Sequence, residues 1–95
     1  MANLRVLKKE IDYCLEELVF DCDMSICFHP QKEKEIFDIM QEGVALRNHL
    51  FTKAMNPAEK HNRSLVRKHY VALRQEIETA FGELFEKLSA LNEEK

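Results

Sequence analysis

Apolar residues recur along most of this chain at steps of three and four, the spacing that gathers side chains on one face of an α-helix. From just after Asn3, the residues Leu4, Leu7, Ile11, Cys14, Leu15, Leu18, Cys22 and Ile26 share one side of a helical wheel. Asn3 is a candidate N-cap, its amide oxygen placed to accept from a free backbone N–H of the first turn. The spacing predicts a first helix over 4–28, ended by Pro30, which disfavours helical geometry at the residue before it. Proline also suits the first position of a new helix, where its missing N–H costs nothing. A second helix is therefore predicted over 30–55, with Ile36, Met40, Val44, Leu50, Phe51 and Ala54 as its stripe and Phe37, Ile39 and Leu46 beside it. Gly43 lies on that stripe. Glycine inside a helix costs about 1 kcal/mol relative to alanine, so it marks either a close backbone approach or a tolerated defect.

Residues 56–64 carry no large apolar side chain and form the one clear break. Within it, Asn56-Pro57-Ala58-Glu59 has the order of N-cap, first-turn proline and capping-box acid, so one helical turn is expected to begin there. A third helix follows over 64–92, its stripe running through Leu65, Val66, Tyr70, Leu73, Ile77, Ala80, Phe81, Leu84, Leu88 and Leu91. No alternation of the β type and no internal repeat interrupts this order. The pattern predicts an all-α fold, an antiparallel up-down-up bundle of three long helices forming a single domain over 1–95. At 1.5 Å per residue each helix would be about 35–40 Å long.

The first helix carries a second apolar line nearly opposite the first. Val6, Tyr13, Phe20 and Cys27 are spaced by seven, with Met24 beside them. A helix in a monomeric bundle needs one buried face. A seven-residue repeat instead keeps a seam aligned between supercoiled helices, so a partner helix, the same helix of a second copy or one from another helical protein, is expected against it. Glu10 and Glu17 interrupt the line. Phe85, off the main stripe of the third helix, is expected to join the same patch, making Val6, Tyr13, Phe20, Met24, Cys27 and Phe85 the candidate interface.

Composition sharpens this picture in a few respects. Two glycines and two prolines in 95 residues leave few places to turn, in keeping with long helices. A hydrophobic share of 45% with 33% charged residues belongs to a folded chain and not a disordered one. A chain this short buries only about 60% of its unfolded surface, so its core is small and a partner would help it. The net charge of −3 argues against nucleic acid or an anionic membrane as the main partner. No apolar run reaches the length of a membrane span, and the opening "MANLRVLKKEIDY" lacks the apolar stretch of a signal peptide. Three cysteines without framework spacing suit a reducing compartment, so a cytoplasmic location is expected.

Candidate chemistry concentrates in "FDCDMSICFHP", residues 20–30. On a helix these groups scatter: Cys22 lies on the core stripe, Cys27 on the opposite side, Asp21 and Asp23 between. A tetrahedral zinc site needs paired ligands on one side, so the cysteines are expected to act as small hydrophobes and no metal or other cofactor is expected. The Glu-x-x-His signature of di-iron bundles is also missing, since Ile26, Leu46, Ala58 and Val66 stand three before the four histidines. His49 with Lys53 resembles the phosphoaccepting helix of histidine phosphotransfer domains, but that family places lysine three residues after the histidine, where this chain has Thr52. A solvated histidine is the expectation.

Arg47 sits in the middle of the second helix's stripe, where a guanidinium must be paired or must reach past the core. Antiparallel register predicts an ion pair with Glu10 or Glu76, with Tyr70 as a further hydrogen-bond partner. Lys60, Arg63, Arg67 and Lys68 crowd the start of the third helix, a candidate anion patch because helix N-termini favour negative charge. The long-helix pattern and the opening "MANLRVLKKEIDY" resemble short bacterial all-helical proteins with no assigned function, a likeness that transfers no activity. No nucleophile-base pair, carboxylate pair or phosphate-cradling glycine loop is assembled, so an enzyme is not expected. The expected function is a non-enzymatic interaction or scaffold bundle that self-associates through its first helix, most simply as a homodimer. Phosphate or nucleic-acid binding through the basic start of the third helix is the alternative.

Overall fold

A computed structural model describes residues 3–57 and 61–93 and contains three α-helices, with no strand among the described residues. Helix α1 spans Leu4–Phe28, α2 spans Glu33–Met55 and α3 spans Arg63–Glu93. Asn3 caps α1 as its position suggests: its backbone is extended and its side-chain oxygen accepts from the Val6 N–H at 3.0 Å. The last turn closes through the His29 N–H, which donates to the Ser25 carbonyl at 2.7 Å. His29, forced out of helical geometry by the following proline, makes the corner.

Pro30 then opens a single 3₁₀ turn, Pro30–Lys32, before α2 begins. The predicted second helix thus starts where expected but winds more tightly for its first three residues. Lys32, at the end of that turn, sends its ammonium to the Leu91 carbonyl at 2.7 Å. That carbonyl lies near the end of α3, so one lysine ties the corner to the far end of the third helix.

Asn56, the first residue of the expected cap at 56–59, ends α2. Its amide nitrogen donates to the Thr52 carbonyl at 2.8 Å, and its backbone N–H to that of Lys53 at 3.3 Å. Ala58 and Glu59, on which the rest of that expectation rests, lie outside the described residues. The cap of α3 is Asn62, whose side-chain oxygen accepts from the Leu65 N–H at 3.2 Å.

Cross-helix contacts set direction and register. Gly43 of α2 abuts Leu15 and Leu18 of α1, and Arg47 of α2 pairs with Asp12 of α1, so these two helices run antiparallel. Lys53 pairs with Glu76 and Glu42 with Lys87, so α3 runs antiparallel to α2. Glu10 meets Arg74 and Ser25 meets Asn92, which makes α1 and α3 parallel neighbours. The bundle is up-down-up and slender, measuring 52 × 18 × 17 Å. Its radius of gyration of 15.5 Å exceeds the roughly 12 Å of a compact domain of this length.

The core is one line of side chains along the axis, including Leu7, Ile11, Leu18 and Cys22 from α1, Ile36, Ile39 and Leu50 from α2, and Leu73, Ile77 and Phe81 from α3. Two stripe assignments differ from expectation. Val44 and Phe37 of α2 are about half exposed, while Ile39 and Gly43 are buried. Each helix here meets only two neighbours, so its buried wedge is narrow, and on α2 that wedge is centred on Gly43 and Leu50. Leu65 is exposed because α3 begins about a turn before α1 does at the same level, as the pairing of Glu10 with Arg74 requires.

Candidate interaction surface

The second apolar line of α1 stands exposed. Tyr13 is 61% exposed, Phe20 64% and Met24 44%, with Val6 and Cys27 also open to solvent. Phe28 is exposed further still, at 72%. Sequence reasoning assigned Phe28 only to the end of the helix. Its position four residues after Met24, on the same flank, was the signal that could have added it.

These side chains border the seam between α1 and α3, which opens into two shallow grooves. One, of about 390 Å³, is lined by Val6, Tyr13 and Cys14 against Arg74, Ile77 and Glu78. The other, of about 380 Å³ at the opposite end, brings Met24 and Phe28 together with Phe85 and Leu88. Phe85 is half-buried: it packs on the core and also walls the groove. The structure therefore places Val6 and Tyr13 along one groove and Met24 and Phe85 along the other. Phe20 lies beside Tyr13, Glu16, Glu17 and Asp21 between them. Cys27 is on the same helix but lines neither groove.

The two glutamates that interrupt the line have other attachments. Glu10 turns toward α3, its carboxylate 2.9 Å from the Arg74 guanidinium. Glu17 accepts from the Tyr13 hydroxyl at 2.8 Å. That hydrogen bond, with the charge behind it, raises the Tyr13 phenol above its ordinary value. The phenol stays neutral well into the alkaline range and presents an aromatic face with a tethered polar tip.

Arg47 is paired, but not with the expected carboxylates. Its Nε donates to Asp12 Oδ1 at 3.1 Å, its Nη1 donates to Asn48 Oδ1 at 3.1 Å, and its guanidinium carbon lies 3.9 Å from the centre of the Phe51 ring. Glu10 is taken by Arg74 and Glu76 by Lys53, and Tyr70 is not among the partners of Arg47. The reason is angular. Asp12 follows Glu10 by two residues, about 200° around α1, so Asp12 faces α2 and Glu10 faces α3. The side chains of this pair are 33% and 48% exposed, so the bridge sets register more than it adds stability.

Arg63, Arg67 and Lys68 of the basic patch are exposed on the first turns of α3, while Lys60 lies outside the described residues. His69, on the same turns, has its Nε2 2.9 Å from the Lys53 carbonyl. His49 is exposed on α2. Cys22 is fully buried, and burial, followed by the charges of Asp23 and Asp21, pushes its thiol up to about 11. Burial also raises Cys14. Both are neutral thiols at ordinary pH, poor nucleophiles and poor metal ligands. Among the described residues, no three histidine, cysteine or acidic side chains come together to hold a metal ion, and no helix is long and apolar enough to cross a membrane.

Comparison with family models, with curated proteins and with solved structures finds no match to this chain.

Proposed function

We propose that this chain is a non-enzymatic interaction module that associates with a second copy of itself through the face where α1 borders α3. The observation that carries this reading is the row Val6, Tyr13, Phe20, Met24 and Phe28, five large apolar side chains exposed down one helix whose opposite face is already buried. Scattered apolar residues on a surface need no explanation, but a row of five on one helix face, beside two grooves of mixed lining, does. A bundle with so narrow a core gains from covering it. Each of these side chains, if fully buried, would contribute about 1.5–3 kcal/mol. Three free cysteines accord with a reducing, cytoplasmic setting.

Light scattering over a range of concentrations tests this. The native chain is expected to pass from 11.2 kDa to twice that mass as concentration rises. Phe20→Asp is expected to weaken the association by at least tenfold, since it removes about 2 kcal/mol of apolar burial and places a charge in the contact. Val44→Asp, a change at another exposed apolar site, on α2, is the control and should leave the association unchanged. A chain that remains at 11.2 kDa at every concentration, or a Val44→Asp variant impaired as much as Phe20→Asp, would remove the proposal.

A further inference from the structure

The folded rod is electrically polar along its length, a property dispersed in the sequence and assembled by the up-down-up path. The contacts of Gly43 with Leu15 and Leu18 mark the middle level of α1 and α2; Glu10–Arg74 carries that level to α3 near residue 80, and Glu42–Lys87 carries it a few residues further. One half of the bundle then holds residues 3–16, 44–57 and 61–79, and the other holds 17–43 and 80–93. Among these described residues, the first half carries nine Lys and Arg against five Asp and Glu, a balance of +4. The second carries three against ten, a balance of −7. The basic start of α3 is one part of the positive half, and the acids of residues 17–23 open the negative one.

From this polarity, and resting on the self-association proposed above, we infer that the two copies pair antiparallel. A two-fold axis crosses α1 between Tyr13 and Phe20, so that each basic half lies beside the acidic half of the other copy. Parallel pairing on the same face would set +4 beside +4 and −7 beside −7. Head-to-tail stacking would also join opposite charges, but it leaves the apolar line of α1 bare, because that line runs along the side of the rod and not across its ends. Antiparallel pairing satisfies both the charge pattern and the apolar face, and as an isologous contact it closes on itself.

The seam itself is compatible with this arrangement. Val6 and Cys27 stand equally far from the point between Glu16 and Glu17, as do Tyr13 and Phe20, so the two small side chains exchange places across the axis and so do the two aromatic ones. Lys9 comes to the level of Asp23 of the second copy on one flank, and Arg74 to that of Asp21 on the other. All four are exposed in the single chain. Glu16 and Glu17 of both copies meet near the axis, a repulsive element, and Glu78 lies in the same groove as Arg74.

Disulfide trapping distinguishes the orientations. Val6 and Cys27 are 21 positions apart, about 31 Å along the helix, whereas a disulfide requires Cα atoms within about 7 Å. Val6→Cys, at an exposed position, is oxidised with diamide, which accepts the two electrons and two protons released as each disulfide forms, and the bonds are mapped by mass spectrometry of peptides. The antiparallel pair is expected to give bonds between position 6 of one copy and Cys27 of the other, at least tenfold over any Cys27–Cys27 product, with circular dichroism confirming the native helix content. In the unsubstituted chain Cys27–Cys27 bonds should be near background. Ready formation of Cys27–Cys27 bonds in that chain would establish a parallel pair and overturn the inference. A dimer by light scattering that yields neither bond would overturn it while leaving self-association intact. A chain monomeric by light scattering would remove both.

Discussion

At the scale of single residues, the two glycines show how the same substitution takes opposite signs. A methyl group on Gly43 would lie 2.7 Å from Leu18 Cδ2 and 3.3 Å from Leu15 Cδ1, and Leu18 is fully buried. Gly43→Ala gains up to about 1 kcal/mol in helix propensity but overpacks this contact at about 1–3 kcal/mol, so a net loss of about 1 kcal/mol is expected. A methyl group on Gly82 meets nothing within 4 Å. Gly82→Ala should therefore stabilise by about 0.5–1 kcal/mol and raise the melting temperature by several degrees, while Gly43→Ala lowers it. Thermal melts of the two variants side by side check both signs. The close approach at Gly43 was legible as one of two readings, because a glycine on a core stripe has few other reasons to be there. The partner of Arg47 was not legible. Glu10, Asp12 and Glu76 all lie within axial reach, and only the rotation of α1 against its two neighbours assigns Asp12 to α2 and Glu10 to α3.

At the scale of elements, the helix ends were written in the chain by local chemistry. Asn3 and Pro30 act through hydrogen bonds and steric limits within a few residues of themselves, so the limits of α1 needed no tertiary information. Asn3→Ala is expected to cost about 1 kcal/mol, lowering the denaturant midpoint and speeding exchange of the Val6 amide proton, its direct partner. The Asn62 cap is hard to read from the chain because Asn56-Pro57-Ala58-Glu59, a few residues earlier, offers a fuller motif. The fold uses Asn56 to end α2 and Asn62 to begin α3. The rotation of α2 was illegible for a different reason. Its apolar residues span a broad arc, and which part faces inward is decided by where α1 and α3 sit, so Val44 is left half exposed and Ile39 is buried.

At the scale of the whole molecule, topology converts sequence-scattered charges into a rod with a positive and a negative half, and leaves the second apolar line of α1 along its side. The apolar line could be read from the spacing of Val6, Tyr13, Phe20 and Cys27, since it belongs to one helix. The polarity could not, because it appears only when the start of α1, the end of α2 and the start of α3 are brought to one end of the bundle. Together they describe an object that pairs side by side, and small-angle X-ray scattering reports mass and length in one measurement. The account predicts a particle of twice the 11.2 kDa chain mass whose longest dimension stays close to the 52 Å of one bundle, apart from its hydration layer. A single-chain mass at every concentration, or a dimer whose length approaches twice that of one bundle, would contradict it.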